Sequence, residues 1–144
     1  MTYELLSFKN RYKKTGIVQK IASFEVLYQA FKKNAIRTKE TMEEYSKGDR
    51  DFRLKCKDKG GFIAGTAREN QRENTSILTR NMITLDMDYC PVNIIEILKK
   101  KQDIDKELNF MFFIYSTHSH TPESPRLRLI IPLKEAISVE KYEP

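Results

Sequence analysis

The feature that most constrains the fold is a stretch in which two apolar strands flank one amphipathic helix. Residues 81–88 form the first strand, and residues 110–116, Phe-Met-Phe-Phe-Ile-Tyr-Ser, are the most apolar strand of the chain. Between them, Pro91 is a favourable first residue for a helix that runs to about Lys101. A strand, a helix and a second strand in this order are typical of a crossover within one sheet. We therefore expect the two strands to be neighbours whose ends lie close together.

The rest of the chain mixes helices and strands, which indicates an α+β or α/β protein, and we predict an α+β fold. Thr41 and Glu44 form a capping box, although Thr38 is an alternative cap. The further predicted elements are a strand at Tyr3–Phe8, a helix at Phe24–Lys33 capped by Ser23, a helix around Glu40–Ser46 ending near Gly48, a partly helical segment at Asp49–Lys59, a strand at Phe62–Ala64, an exposed loop or hairpin tip at Arg68–Thr75, a strand at Arg126–Leu133 and a helix beginning at Ser138.

Length and charge narrow the classes of protein that this chain can represent. With 144 residues it predicts one domain, helical over residues 1–60 and built on a sheet over residues 61–144. No apolar run approaches the ~20 residues of a membrane span, so we expect no membrane partner. Cys56 and Cys90 are isolated from each other, so we expect two free thiols in a reducing cytoplasm. The net charge of +6 favours partners that carry phosphates.

The strongest candidates for chemistry are Asp86 and Asp88, at the end of the strand over residues 81–88. Residues two apart on a strand point to the same face, so the two carboxylates should lie side by side. Two like charges this close are costly unless a cation neutralises them. Carboxylate oxygens suit Mg²⁺ or Mn²⁺, which also bridge substrate phosphates. The pair therefore predicts a divalent metal site, with two exposed strand-end carboxylates as the alternative.

Ser116, Thr117 and His118 lie at the end of the second apolar strand. With the crossover described above, His118 is expected on the neighbouring strand, where it could hold a nucleotide phosphate or support the metal. The alternative is an exposed histidine in a turn rich in threonine and proline. His120 could complete a His-x-His metal pair, but the absence of an apparent third ligand favours a loop role for it.

Arg126 and Arg128 lie two apart on the following predicted strand and should share one face, with Leu127 and Leu129 on the other. Two guanidinium groups that point together suit the oxygens of a phosphate. A solvated basic face above inward leucines is the simpler alternative. The position beside the Ser116–His118 loop favours nucleotide binding.

These motifs resemble those of a known family. A strand that ends in Asp86-Met87-Asp88, followed by Ser116-Thr117-His118 after a second strand, resembles the motif pair of the archaeo-eukaryotic primase superfamily. The longer run Tyr-Ser-Thr-His-Ser-His-Thr-Pro-Glu-Ser-Pro-Arg-Leu-Arg-Leu-Ile-Ile-Pro-Leu is similar to primase-polymerase domains fused to helicases in phage and plasmid replication proteins, including virulence-associated E-like proteins. The resemblance covers roughly residues 35 to 144.

The resemblance implies a fold, a reaction and partners. The fold is an RNA-recognition-like sheet with flanking helices and an extra N-terminal α/β unit. The reaction is template-directed nucleotidyl transfer with Mg²⁺ or Mn²⁺, in which Asp86, Asp88 and His118 are catalytic and Ser116, His118 and the two arginines bind the nucleotide. The partners are a DNA template and primer, an NTP or dNTP, and a helicase domain on a longer or neighbouring chain.

One departure from the family leaves the activity open. The family places a third acid on a later strand, and here Glu135, Glu140 and Glu143 are the only late acids. We therefore expect a domain whose C-terminal part is missing and which has little or no activity alone. A non-catalytic domain that binds nucleotide or nucleic acid is the main alternative. A nicking endonuclease with His118, His120 and a tyrosine nucleophile is less favoured, because Ser119 replaces a bulky apolar residue.

Overall fold

The fold is α+β, as predicted. A computed structural model describes residues 2–104 and 110–142. The strands are β1 (Tyr3–Phe8), β2 (Ile17–Ile21), β3 (Gly61–Ala64), β4 (Thr79–Met87), β5 (Phe113–Ser116) and β6 (Leu127–Ser138). The helices are α1 (Phe24–Lys33), α2 (Met42–Lys47), α3 (Arg50–Lys57), α4 (Ile94–Ile104) and α5 (Val139–Tyr142), with 3₁₀ turns at Arg68–Asn70 and Asn74–Ser76.

The chain divides into two compact units. Unit 1 comprises Met1–Asn81 together with Lys134–Pro144, and unit 2 comprises Met82–Leu133. Both β4 and β6 begin in one unit and end in the other. The first 60 residues contain β1 and β2 as well as three helices. No helix among the described residues is both long enough and apolar enough to cross a membrane.

The sheet of unit 1 has the strand order β2-β1-β3. The central strand β1 is antiparallel to both neighbours, with Leu6 paired to Val18 on one side and to Ile63 on the other. Leu6 is only 2% exposed and belongs to a buried apolar cluster. Burial of a leucine side chain of this kind stabilises a fold by about 1.5–3 kcal/mol. The cluster consists of Leu6, Phe8, Ala67 and Ile77, against which Ile63 and Val139 pack.

Two helices of unit 1, α1 and α2, begin at the capping residues that the sequence predicts. The Ser23 side chain accepts a hydrogen bond from the Val26 amide, 3.2 Å away, at the start of α1. Thr41 and Glu44 form both bonds of the predicted capping box on α2. A capping residue of this type contributes about 1 kcal/mol to a helix. These local signals define where α1 and α2 begin.

Gly65 allows a close approach of two backbones after β3. It has φ +142°, and a Cβ atom there would lie 1.9 Å from the Thr79 carbonyl oxygen. The hydroxyls of Thr66 and Thr79 then lie 2.7 Å apart. Only glycine fits this position without strain. The contact holds the beginning of β4 against the end of β3 within unit 1.

The sheet of unit 2 has the strand order β4-β6-β5. β5 and β6 are antiparallel, with Phe113 paired to Ile130 and Ser116 paired to Leu127. Ile130 is fully buried, and Met82 on β4 is 1% exposed. The prediction that β4 and β5 are neighbours is wrong, because β6 lies between them. These two strands are instead the outer strands of this sheet.

Three further elements differ from the predicted ones. β2 was not predicted, because most of its side chains are exposed and so its sequence shows no apolar alternation. β6 continues five residues beyond the predicted end at Leu133, up to Ser138. Ser138 therefore ends a strand as well as preceding a helix. β5 begins at Phe113 rather than at residue 110.

Candidate functional site

Two aspartates and two arginines meet at one end of the unit 2 sheet. Asp86, near the end of β4, accepts a hydrogen bond from Nε of Arg128, near the start of β6, at 2.5 Å. Asp88 Oδ1 lies 3.9 Å from a terminal nitrogen of Arg126. A step of two residues forward from Asp86, to the residue just after β4, thus matches a step of two residues back from Arg128, to the residue just before β6. This is the pattern of cross-strand neighbours on one face of an antiparallel pair.

Tyr115 on β5 extends the first of these ion pairs across the sheet. It is the Cα partner of Arg128, and its hydroxyl accepts a 3.3 Å hydrogen bond from Nη1 of that arginine. The Arg128 guanidinium carbon also lies 6.0 Å from the centre of the Tyr115 ring. The row Asp86–Arg128–Tyr115 therefore contains one group from each strand. We call these three residues, together with Asp88 and Arg126, the paired-charge site.

The electrostatics of the site follow from these contacts. The hydrogen bond to Asp86 raises the pKa of Arg128 above its usual value, so the guanidinium stays charged. Burial raises the pKa of the Tyr115 hydroxyl, which keeps that group neutral, although the charge of Arg128 acts in the opposite direction. The first row thus holds a carboxylate, a cation and a neutral hydroxyl in sequence.

The paired-charge site is open to solvent. The Arg128 and Asp86 side chains are 34% and 58% exposed, and those of Arg126 and Asp88 are 37% and 48% exposed. Ion pairs with this exposure typically contribute only about 0–1 kcal/mol. The pairs can therefore be exchanged for contacts with a charged ligand at little cost in free energy.

The loop between β5 and β6 is closed at its base by hydrogen bonds to the Arg126 backbone. The Thr117 amide donates to the Arg126 carbonyl oxygen at 2.9 Å, and the Arg126 amide donates to Nδ1 of His120 at 3.2 Å. This second bond supports the loop role predicted for His120. The loop thereby holds Arg126 in place beside Asp88.

Ser116 is the last residue of β5, and His118 follows it in the turn that leads to β6. Ser116 is the Cα partner of Leu127, so its side chain is on the face opposite to that of Tyr115 and Arg128. His118 is half-buried in the turn after β5. The prediction that His118 follows a strand next to β4 is wrong, since β6 intervenes. The carboxylates are paired with Arg128 of β6 and with Arg126, just before β6.

The family model of the VapE N-terminal domain matches residues 5–144. The chain belongs to this family. The match confirms the resemblance to virulence-associated E-like proteins. Membership of the primase superfamily and a missing C-terminal part stay predictions. No match was found among curated proteins or among solved structures.

This VapE N-terminal domain offers two carboxylates at the paired-charge site for the predicted divalent ion. Among residues 2–104 and 110–142, no three His, Cys, Asp or Glu side chains cluster as the ligands of a metal ion. Mg²⁺, however, commonly binds through one or two carboxylates together with substrate phosphates. Asp86 and Asp88 on one face fit an ion that arrives with a nucleotide. They do not form a complete protein cage within the described residues.

Tyr115 is the member of the site that the sequence did not predict. It lies inside an apolar run, and in such a run an aromatic side chain normally predicts core packing. The available signal was its hydroxyl, since a buried tyrosine usually needs a hydrogen-bond partner. The identity of that partner, Arg128, depends on the register of β5 against β6, and the sequence does not specify this register.

Proposed function

We propose that this domain binds a nucleotide together with its divalent ion at the paired-charge site, as a primase-polymerase-type domain in the DNA replication of a phage or mobile element. The observation that carries the proposal is the matched arrangement of Asp86 with Arg128 and of Asp88 with Arg126 on one sheet face. Membership of the VapE N-terminal domain family supports the replication role.

A nucleotide with its metal ion carries the charge pattern complementary to this site. Its phosphates are anionic and suit the guanidinium groups of Arg126 and Arg128, which bind oxygens in pairs. Asp86 and Asp88, once released from the arginines, are then free to hold the cation. Because the ion pairs are half-exposed, the exchange replaces two weak contacts with several charge-assisted ones.

The chain's own residues would position the nucleotide rather than transform it. The Arg128 guanidinium, held by Tyr115, would orient the phosphates, while Arg126 is fixed through its backbone to the loop after β5. When bound, Mg²⁺ or Mn²⁺ neutralises phosphate charge and can organise in-line phosphoryl transfer. His118 is proposed to contact the nucleotide from the turn after β5. Ser116 would contact a ligand that extends to the sheet face opposite to Tyr115 and Arg128.

Binding without turnover is the second candidate function. The described residues place two carboxylates at the site, and no third metal-ligand side chain clusters with them. A second ion that stabilises the attacking oxygen would be held loosely there, and an error of about 1 Å in position can lower a rate ~100-fold. We therefore expect this chain to bind nucleotides but to extend primers poorly by itself. A DNA template and a helicase domain are the partners proposed for the working assembly.

A binding measurement tests the proposal directly. Mn²⁺ bound to the protein is followed by its effect on water proton relaxation, with and without dATP or ATP. We expect the nucleotide to increase the bound Mn²⁺, and the double substitution Asp86→Asn, Asp88→Asn to remove this increase. Glu69→Gln with Glu73→Gln is the matched control, because it also removes two exposed carboxylates. An unchanged increase in the Asp86, Asp88 variant would exclude these residues as the metal ligands.

Primer extension on a primed DNA template separates the two candidate functions. With dNTPs and Mn²⁺, we expect little or no extension by this chain alone. Robust extension that is abolished by Asp86→Ala with Asp88→Ala would contradict that expectation and establish a complete catalytic site. An acid on another part of the chain, such as Glu135 on β6 or Glu140 on α5, would then have to complete it.

A further inference from the structure

The net charge of the chain originates from two short segments. Residues 9–14 and 49–59 contain nine basic and three acidic residues, a net +6, which equals the formal net charge of the whole chain. All other residues together are balanced. The nine basic residues are all exposed. They are Lys9, Arg11, Lys13, Lys14, Arg50, Arg53, Lys55, Lys57 and Lys59.

The fold of unit 1 brings these two segments together. The Arg11 amide, in the loop between β1 and β2, donates a 2.7 Å hydrogen bond to Oδ1 of Asp58 at the end of α3. None of the nine basic side chains forms a salt bridge with another residue of the described parts of the chain. The result is one surface of unit 1, formed by residues 9–14 and 49–59, whose basic side chains form no salt bridge within the described parts of the chain. We call it the α3 basic surface.

The α3 basic surface is concave on both sides of Leu54. A hollow of about 280 Å³ is lined by Leu54 and by Arg11, Tyr12, Asp51, Lys55 and Asp58. A second hollow of about 150 Å³ is lined by Leu54 and by Arg50, Arg53 and Lys57. A concave basic surface suits a flexible anionic chain better than a flat basic surface does. It also provides room for groups other than phosphates.

An exposed aromatic side chain stands in the larger hollow. Tyr12 is 73% exposed, and the Arg11 guanidinium carbon lies 4.8 Å from the centre of its ring. Exposed aromatic rings beside arginines are the platforms on which unpaired bases stack. Asp51 and Asp58 line the same hollow and would repel phosphates. Phosphates therefore belong at the exposed basic side chains around the hollow, which we call the basic rim. Bases, whose amino groups donate hydrogen bonds, belong inside the hollow.

We propose that the α3 basic surface binds single-stranded nucleic acid, with its backbone along the basic rim and a base stacked on Tyr12. An anionic membrane is a poorer fit, because a helix that binds membranes needs a broad apolar face. α3 has only Phe52, Leu54 and Cys56 as apolar residues, and Cys56 is buried. The proposal does not depend on nucleotide binding at the paired-charge site. It concerns different residues and a different ligand.

The test uses the full chain and a fluorescent, mixed-sequence single-stranded DNA of about 20 nucleotides, a length that covers one binding site of this kind. Binding is measured by anisotropy over a series of salt concentrations. The quadruple substitution Arg50→Gln, Arg53→Gln, Lys55→Gln, Lys57→Gln should weaken binding. It should also reduce the salt slope of log Kd by about 0.7 for each phosphate that the protein no longer neutralises.

The matched control removes the same charge from other exposed positions of unit 1. Lys32→Gln, Lys33→Gln, Arg37→Gln, Lys39→Gln lowers the net charge equally and should leave the salt slope unchanged. Equal weakening by both quadruple variants would reduce the effect to net charge and overturn the proposal. Circular dichroism establishes that each variant is folded before binding is compared.

Tyr12 separates recognition of bases from attraction to any polyanion. Tyr12→Ala should weaken binding by at least about 5-fold, whereas Tyr12→Phe, which keeps the ring, should bind nearly as well as the parent chain. Polyglutamate and vesicles of phosphatidylserine serve as competing anions. Competition by either at the same charge concentration as DNA, or no effect of Tyr12→Ala, would overturn the assignment to single-stranded nucleic acid.

Discussion

The two basic regions of this protein use their positive charge in opposite ways. In unit 2, Arg128 on β6 is paired with Asp86 on β4. Arg126, just before β6, is paired with Asp88, just after β4. On the α3 basic surface of unit 1, nine exposed cations form no salt bridge with the described residues. Charged side chains that are paired in register have closely defined positions. Charge that is unpaired defines a field, which attracts an anionic chain without fixing its register.

This difference matters for what each region can bind. At the paired-charge site, a ligand must displace one partner while satisfying the other, so it needs both signs of charge at a set spacing. A nucleotide with its metal ion meets that requirement. At the α3 basic surface, each phosphate that is bound releases counterions, so binding should depend steeply on salt. The contrast between a selective site and a permissive one can be tested in three steps.

The largest effect is expected from removing the core that holds the paired strands in register. Ile130 is fully buried on β6 and is paired with Phe113 of β5. Ile130→Ala should lower the free energy of unfolding by about 2–5 kcal/mol, because it leaves a cavity in a packed interior. Urea denaturation measures the decrease, and hydrogen exchange locates it. We expect the amides of β5 and β6 to lose protection first.

Two comparisons sharpen this prediction. Leu27 of α1 is 1% exposed, so Leu27→Ala should cost a similar amount but reduce protection in unit 1. Leu78 is 45% exposed, and Leu78→Ala should change stability by less than about 0.5 kcal/mol. If Ile130→Ala were as mild as Leu78→Ala, the strands that carry the paired charges would not depend on this core.

Signals that act within a few residues made much of the fold predictable. Ser23 and the Thr41–Glu44 capping box start helices where expected, because a cap satisfies backbone amides only two or three residues ahead. The strand that carries Asp86 was predicted because its apolar residues are bounded by polar ones. β2 was missed because Ile17 and Val18 are exposed on an outer strand, so the alternation that marks a half-buried strand is absent.

Features that depend on strand order and register could not be predicted in the same way. Asp86 and Arg128 are 42 residues apart in sequence. Their contact arises because β6 lies between β4 and β5, whereas the crossover helix predicted β4 beside β5. Each residue type was a candidate from the sequence, but their pairing was not. The end of β6 was missed because Lys134 and Glu135 are exposed and polar, although the strand continues through them.

The second effect in size concerns nucleotide affinity at the paired-charge site. Arg128→Ala should weaken binding of a nucleotide with Mn²⁺ by about 1.5–3 kcal/mol, the usual cost of removing a charge-assisted hydrogen bond. Calorimetry measures the affinity, and Arg37→Ala, which removes another exposed arginine, is the control. Arg126→Ala should have an effect in the same direction. Unchanged affinity in both arginine variants would show that the two arginines do not bind the nucleotide and that the ion pairs are only structural.

The smallest effect, and the sharpest test of the comparison, is the energetic coupling within each ion pair. Double-mutant cycles with Asp86→Ala and Arg128→Ala, and separately with Asp88→Ala and Arg126→Ala, measure this coupling by urea denaturation. Exposed pairs of this kind couple by about 0.2–1 kcal/mol. We expect the first pair to lie near the top of that range and the second near the bottom, because their separations are 2.5 and 3.9 Å and only Arg128 is also held by Tyr115. Tyr115→Phe should lower the first coupling and leave the second unchanged.

Weak coupling is what the exchange with a ligand requires, since pairs worth several kcal/mol would hold the carboxylates and arginines together against a nucleotide. A coupling above about 2 kcal/mol in both pairs would place them outside the exposed-pair range and favour a permanent structural ladder at the end of β4 and the start of β6.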